Sequence, residues 1–206
     1  MPDFQTATNV SRTSQRTQAR IIDAVVDVVW QRGITGTTLA NVATTAGVSQ
    51  GVVVFHFKSK KGLLAETLVR LFDEYRDSWL PASRLEDPLD QVKGLVRADF
   101  DPRICTPKKL TLWFAFWGEA GTKPLYNRLC QAAEQERFEA MKHAVAGLDC
   151  HGDGMDAGEV AHMIDAHTDG LWLQMHIQGK SFPADMALET ALAHLRRLLP
   201  DCASRI

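Results

Sequence analysis

"TTLANVATTAGVSQGVVVFHFKSKKGLL", residues 37–64, contains two short apolar segments separated by a tight turn. The inner face of the first segment has helical spacing and consists of Leu39, Val42 and Ala43. Thr37 or Thr38 precedes this face as a helix cap, and Gly47 supplies the left-handed residue that ends the helix. Ser49 is a good cap for a second short helix. The stretch therefore predicts a helix-turn-helix.

The flanking sequence is also helical. Residues 17–32 repeat apolar side chains every three or four positions, and residues 60–79 do the same directly after the opening stretch. Further helices, separated by proline- and glycine-containing breaks, are expected at about 88–100, 107–121, 123–147, 156–178 and 184–199. Because no segment alternates with period two, the fold class is predicted to be all-α, with about nine helices.

These patterns predict three regions. Residues 1–16 are polar and are expected to be a disordered leader, and residues 17–62 a three-helix DNA-binding domain of the helix-turn-helix type. Residues 63–206 are expected to form a larger α-helical domain, and the family resemblance given below implies that it binds a ligand and dimerises. The charges agree with this division: residues 1–62 hold seven Lys and Arg against three Asp, a balance of +4, in a chain whose net charge is −2. A basic head on an acidic body indicates that only the head meets a polyanion.

Composition and motifs exclude several classes of protein. No uncharged apolar run approaches the roughly 20 residues of a membrane span, so a cytoplasmic protein without membrane contact is expected. The sequence lacks a GxSxG elbow, a phosphate-cradling loop and HExxH, so neither an enzyme nor a bound cofactor is expected. Four cysteines lie far apart without a CxxC pair, which argues against a disulfide framework or a zinc site. Cys105 beside Arg103 is a weak candidate for a redox-sensing thiol.

Residues 37–64, including the terminal hydrophobic-His-Phe-x-Ser-Lys box, resemble the head of the TetR family of transcriptional regulators. The resemblance implies that the protein binds a double-stranded DNA operator. Helix N-termini with hydroxyl caps bind phosphates, Gln50 can pair with adenine edges, and valines can touch thymine methyl groups. The residues expected to contact DNA are Arg20, Thr37, Thr38, Ser49, Gln50, Val52, Val54, Phe55, His56 and Lys60. Val53 and Phe57 are expected in the core, whereas for Val54 and Phe55 a core position is as plausible as a DNA contact.

Aromatic residues are concentrated in "LTLWFAFWGEA", residues 110–120. Helical phase places Trp113, Phe114 and Trp117 on one face, while Phe116 faces another direction, towards a neighbouring helix. A second stripe, in the helix expected at 156–178, has spacings of 3, 4, 3 and 4 and consists of His162, Asp165, Asp169, Trp172 and His176. This stripe could face a ligand, a partner chain, solvent or, as a weaker alternative, a metal ion.

Residues 99–129 and 169–180 resemble the ligand-binding body of the BetI branch of the TetR family, which contains choline-responsive repressors. The shared motifs are "FD", "W-x-AFW", "P-x-x-x-R-L" and "DGLWL…GK". Aromatic faces and a carboxylate are what a quaternary ammonium requires. The expected ligand-binding residues are therefore Trp113, Phe114, Trp117, Asp169 and Trp172. A core role for these rings, a dimer surface, or a pocket for a lipophilic cation, a polyamine or an acyl compound are the alternatives.

The family resemblance also implies a homodimer, formed by the last two long helices. The expected interface residues are Ile164, Leu171, Met175, Leu188, Leu192 and Leu195. The sequence thus predicts a homodimeric, ligand-responsive repressor that binds a palindromic operator and is released by a small molecule, with choline or a related quaternary ammonium as one candidate. An enzyme or carrier on an α-helical fold is the alternative from another class.

Overall fold

The structure, a computed structural model, describes residues 12–121, 123–148 and 154–206. The nine α-helices in these ranges are α1 (Arg12–Arg32), α2 (Leu39–Ala46), α3 (Gln50–Phe57), α4 (Lys60–Trp79), α5 (Pro88–Asp99), α6 (Pro107–Ala120), α7 (Pro124–Ala146), α8 (Ala157–Gln178) and α9 (Ala184–Leu198). Three short 3-10 segments complete the described secondary structure. The predicted all-α class is confirmed, and the bounds of α4 to α9 lie within one residue of their predicted positions.

Helix α1 begins earlier than predicted. Residues 12–16 are helical, which corrects the expectation of a disordered leader there, whereas residues 1–11 lie outside the described part of the chain. Thr17 donates its hydroxyl proton to the carbonyl oxygen of Thr13, one helical turn earlier. The first turns carry mainly exposed polar side chains, so apolar periodicity could not indicate them; the buried face begins only at Ile21.

The chain divides into two compact units, Met1–Thr67 and Leu68–Ile206. The division falls five residues after the predicted boundary at 62, because the first turns of α4 belong to the first unit. Within the first unit α1 packs on α2, and α2 packs on α3. Its core includes Ile21, Val25, Val42 and Val53, all fully excluded from solvent. This small core holds the two short helices at a fixed angle to α1.

In the second unit α7 packs against α5, α6 and α8, and α8 also packs against α9. The helix starts follow local rules: Asp87 and Thr106 cap α5 and α6, and a proline occupies the first turn of each. Asp156 begins α8 with a capping box that it forms with Glu159. These caps fix where the helices begin, and the aromatic faces of α6 and α8 meet where the two helices pack. No helix in the described ranges is both long and apolar enough to cross a membrane.

Candidate functional site

The two short helices of the head start with exposed hydroxyl caps. Thr38 accepts a hydrogen bond from the backbone N–H of Asn41 at 3.1 Å, and Ser49 accepts one from the N–H of Val52 at 3.4 Å. Between them Gly47 ends α2 with φ of 64°, a left-handed conformation that side chains other than glycine rarely adopt. Both helix N-termini therefore meet solvent with their positive dipole ends, which is the arrangement that binds phosphate.

Helix α3 presents an apolar side to solvent. Val53 and Phe57 are buried as predicted, whereas Val54 is 39 % and Phe55 69 % exposed. A core role is thus excluded for Phe55, whose ring lies 5.2 Å from that of His56 and beneath the Lys58 ammonium. Gln50 is exposed at the start of the same helix. An aromatic ring, a methyl-bearing valine and a long amide on one exposed helix suit contact with base edges in a major groove.

Two of the expected DNA contacts have other partners in the structure. Thr37 is fully buried, and its hydroxyl donates to the carbonyl oxygen of Gly33 at 2.9 Å, so the structure removes it from the expected phosphate contacts. Lys60 donates to the carbonyl oxygen of Thr35 at 3.1 Å and thereby ties the start of α4 to the turn before α2. Arg20 is exposed on α1, and Val52 and His56 are half-buried on α3.

In the body, three indole rings lie against one another. The ring centroid of Trp113 is 5.7 Å from that of Trp172 and 6.2 Å from that of Trp117, and Trp117 stacks on Trp172 at 6.2 Å. Tyr75, on α4, adds its ring edge to Trp113 and Trp172 at 5.8 Å each. We call these four side chains the aromatic cage. Helices α6 and α8 are distant in the sequence, and their packing against each other brings these rings together.

The cage is closed. Its rings, with Asp99, Glu134, Thr168 and Asp169, surround a cavity of about 10 Å³, which is room for about one water molecule. Centroid separations near 6 Å are those of packed aromatic pairs. An organic ligand can therefore enter only if the rings move apart.

Beside the cage lies a buried ionic network centred on Arg137 of α7. Its guanidinium bonds both carboxylate oxygens of Asp99, at 3.0 and 3.2 Å, and one oxygen of Asp165 at 3.1 Å. The Tyr75 hydroxyl donates to Asp99 at 2.6 Å, and the Trp172 indole N–H donates to the Asp99 carbonyl oxygen at 2.8 Å. Arg137 is only 3 % and Asp99 2 % exposed. The network thus connects the cage to α4, α5, α7 and α8 at once.

Carboxylates outnumber cations around the cage. Four of them, Asp99, Glu134, Asp165 and Asp169, surround the single guanidinium of Arg137. Burial, followed by the charge of Asp165, raises the pKa of Glu134 to about 7. Burial, followed by the charge of Glu134, raises the pKa of Asp169 in the same direction. Both side chains also reach solvent, so screening limits the size of these shifts.

An open groove of about 1070 Å³ adjoins the cage. Trp117, Glu134 and Asp169 line both the groove and the closed cavity. Farther along the groove His162 stacks on Phe138, with ring centroids 4.3 Å apart. The predicted stripe on α8 therefore faces α6 and α7: three of its members line the groove, Trp172 belongs to the cage, and the ring of His176 lies 5.0 Å from that of Phe114.

The structure brings together four of the five expected ligand residues, Trp113, Trp117, Asp169 and Trp172. Phe114 does not line the cavity; it packs against Trp117 and His176 instead. Phe116 meets Tyr126 of α7 at 5.5 Å, as its helical phase predicts. The sequence reasoning missed the site residues Tyr75, Asp99, Glu134 and Arg137. Arg137 had a usable signal, since it falls on the buried face of α7 with Cys130 and Met141.

Most of the residues expected at the dimer interface are buried in the core of a single chain. Ile164, Leu171, Met175, Leu192 and Leu195 are at most 7 % exposed, and Leu188 is half-buried, so the predicted choice of helix face is wrong for the five buried ones. One row of solvent-exposed residues on α8 recurs at spacings of 3, 4, 3 and 4 and consists of Met163, Ala166, Gly170, Leu173 and Ile177. We call them the outer stripe of α8.

The cysteines do not support a redox role at Cys105. Burial raises the pKa of the Cys105 thiol to about 11, the opposite of what a reactive thiolate requires. Cys130 is likewise a buried free thiol. Within the residues described, no group of three His, Cys, Asp or Glu side chains is arranged to hold a metal ion.

Two family matches cover most of the chain. Residues 21–67 match the bacterial regulatory proteins of the tetR family, and residues 88–200 match the C-terminal domain of BetI-type transcriptional repressors. The HTH-type transcriptional regulator BetI of Paraburkholderia xenovorans is 32 % identical over 179 residues, which are 84 % of this chain and 89 % of the relative. The BetI regulator of Paraburkholderia phymatum is 31 % identical over 205 residues, 91 % of this chain and 95 % of the relative.

Solved structures share the fold. A transcriptional regulator from Pseudomonas aeruginosa PAO1 superposes with a TM-score of 0.76 at 21 % identity and covers 98 % of this chain and 99 % of its own. A regulator from Saccharomonospora viridis, solved in complex with choline, has a TM-score of 0.75 at 21 % identity and covers 86 % of this chain and 94 % of its own. With the two family matches and the relatives above 30 % identity, the chain belongs to the TetR family of transcriptional regulators and has a BetI-type C-terminal domain.

Proposed function

We propose that the protein is a homodimeric repressor that binds a palindromic DNA operator and is released from it by a small cation of the choline type. The observation that carries the proposal is the convergence of three tryptophans and an excess of carboxylates on one cavity of the body. As a regulator of transcription it would act in the cytoplasm.

A quaternary ammonium has no hydrogen-bond donor on its charged centre, so it is held by aromatic faces and by nearby negative charge. Each ring contributes about 0.5–2 kcal/mol, with tryptophan the strongest. The aromatic cage supplies the faces, and Glu134 and Asp169 supply charge on the side of the cage that adjoins the groove. The fold neighbour from S. viridis that was solved with choline supports this ligand class. The carboxylates also argue against an anionic acyl compound.

The closed cage suggests how a ligand changes the state of the protein. A cation that enters must separate the rings, and one of them, Tyr75, belongs to α4, whose first turns lie in the DNA-binding unit. Ligand binding shifts a conformational equilibrium only if the two states bind it with different affinity. An open cage that binds the cation and a closed cage that does not provide this difference.

We place the dimer contact on the outer stripe of α8. Its ends are apolar and exposed, with Met163 at 45 % and Ile177 at 67 %, while Ala166 and Gly170 in its middle permit close helix approach. Two copies are required because a palindromic operator presents half-sites about 34–36 Å apart. Replacing Leu173 with glutamate is expected to yield monomers in sedimentation velocity, whereas Glu159→Gln on the same helix is expected to leave the dimer intact.

DNA binding is tested by footprinting on the region upstream of the protein's own gene. A protected palindrome whose affinity falls steeply with salt is expected. Phe55→Ala is expected to weaken binding without loss of folding, since the ring is mostly exposed. An enzyme or carrier on the same fold would protect no such sequence.

The ligand is tested by titrating choline while following tryptophan fluorescence and operator release. Trp117→Ala is the informative variant, since its half-buried ring lines both cavity and groove. We expect it to weaken choline binding about tenfold or more. Trp30→Ala, which removes an exposed ring from α1, is the matched control and is expected to leave choline affinity unchanged.

The same titration separates the alternative cations. The groove of about 1070 Å³ has room for a ligand larger than choline, so a polyamine and a lipophilic cation are included. If a polyamine or a lipophilic cation releases the operator and choline does not, the effector belongs to that class of cation. Absence of a response to every cation would overturn the proposal.

A further inference from the structure

The three indole N–H groups of the cage differ in their partners. Trp172 donates to the Asp99 carbonyl oxygen, and Trp117 hydrogen-bonds the Glu134 side chain. Trp113 is 1 % exposed, and its Nε1 atom has no hydrogen-bond partner. A buried donor without an acceptor is rare and destabilising. Packing alone therefore does not explain why the Trp113 N–H is buried beside a cavity without an acceptor.

We propose that Trp113 Nε1–H binds an oxygen atom of the effector, so that the site selects ammonium ligands that carry a hydroxyl or carbonyl oxygen over purely alkyl ammonium ions. This inference rests on the proposed function, because it assigns a second contact to the same ligand. Trp113 lines the cavity, whose volume of about 10 Å³ fits one water molecule in the absence of a ligand. The ligand oxygen takes the place of such a water.

The surroundings explain why this donor selects oxygen. The ring of Trp113 is enclosed by Phe72, Tyr75, Trp117 and Trp172, with centroids 4.9 to 6.2 Å away. None of these rings offers the N–H a strong acceptor. The carboxylates at the cavity do not accept from it either, since its nitrogen has no partner. A ligand with a methyl group at this point would leave the donor unsatisfied, whereas a ligand oxygen would satisfy it.

The test compares choline with propyltrimethylammonium, in which a methyl group replaces the hydroxyl. Calorimetry on the intact protein is expected to show tighter binding of choline by about 3- to 10-fold. Trp113→Phe keeps an aromatic face but removes the N–H, and it is expected to bring the two affinities together. If the preference persists in Trp113→Phe, the hydroxyl is recognised by a carboxylate and the inference is wrong.

Trp172→Phe is the matched control. Its N–H is already bonded to the protein, so we expect this variant to bind both ligands more weakly while keeping their ratio. Equal binding of both ligands by the unaltered protein would overturn the inference but leave the proposed ammonium site intact. Binding of neither ligand would instead contradict the proposed function.

A second measurement does not depend on the folding of Trp113→Phe. The chain has five tryptophans, so its indole N–H signals can be resolved by nuclear magnetic resonance. Both ligands are expected to change the Trp113 signal as the rings separate, and choline is expected to move it farther downfield because its oxygen accepts the hydrogen bond. Identical shifts with both ligands would contradict the assigned contact.

Discussion

The head and the body hold their polar groups in different ways. In the head, the caps at Thr38 and Ser49 bond backbone groups three residues away at exposed helix ends. In the body, Arg137 bonds partners 28 to 62 residues away, in a place that water hardly reaches. An exposed cap contributes about 1 kcal/mol, whereas a buried charge that loses its partner costs several. A substitution in the head is therefore expected to have a small and local effect on stability. A substitution in the buried network of the body is expected to disturb all of its members.

The largest expected effect comes from breaking the buried network. Arg137→Met leaves Asp99 and Asp165 without their cation, and we expect it to lower the free energy of unfolding by about 3–5 kcal/mol. Urea denaturation followed by circular dichroism measures the loss. Lys142→Met, an exposed change on the same helix, is expected to stay within about 0.5 kcal/mol. Equal stability of the two variants would show that the network does not hold the body together.

The next largest expected effect is a dependence of choline affinity on pH, which tests the role of the carboxylates in the body. Because the pKa values of Glu134 and Asp169 are raised, part of the carboxylate charge is lost near neutral pH, and a cation binds the ionised form. We expect choline affinity to increase up to about tenfold between pH 6 and 8. Calorimetry in two buffers of different ionisation enthalpy would detect the released proton. A pH-independent affinity would contradict the role of these carboxylates.

The same groups affect stability in the opposite direction. Glu134 binds its proton more tightly in the folded than in the unfolded protein, so its contribution is present below about pH 4.5 and lost as pH rises through about 7. Thermal unfolding of the ligand-free protein is expected to show this decline, and Glu134→Gln is expected to reduce it.

A smaller effect is expected in the head. Thr38→Ala removes the cap of α2 and is expected to cost about 1 kcal/mol of stability. Operator affinity is expected to fall as well, measured by fluorescence anisotropy, since the same hydroxyl lies beside the exposed helix N-terminus. Thr45→Ala, an exposed change near the end of α2, serves as the control. A loss of stability as large as that expected for Arg137→Met would contradict the expected difference between an exposed cap in the head and the buried network in the body.

The smallest effect is expected at the ion pair between Arg76 and Glu136. Both side chains are nearly half exposed, and their 2.7 Å contact is screened by water. Arg76→Met is therefore expected to leave the melting temperature unchanged within error. A clear loss of stability would mean that ion pairs of the body matter regardless of burial.

The head was predictable from sequence because its structure is set by neighbours. Thr38, Gly47 and Ser49 fix the two short helices through contacts within five residues, and their spacing is visible in the chain. The exception is Thr37, whose burial depends on the packing of the turn and not on its own residue type.

The cage was predictable only in part. Helical phase separates Trp113 and Trp117 from Phe116, and the spacing on α8 indicates Trp172 and Asp169. Tyr75 and Asp99 were not predicted because their contacts join helices that are distant in the sequence. Tyr75 bonds a residue 24 positions later, and Asp99 bonds a residue 73 positions later. The outer face of α8 was mistaken because apolar residues occupy both of its sides, and periodicity alone does not say which side meets the core.

The closed cavity has a consequence for the concentration at which the protein responds. If the cage is open for only a small fraction of the time, the apparent dissociation constant equals the intrinsic one divided by that fraction. Under the proposed function, the tightness of ring packing would set the response threshold independently of the contacts that recognise the ligand. Substitutions that loosen the rings would make a more sensitive switch that also releases DNA without a signal, and selection can tune sensitivity without altering ligand identity.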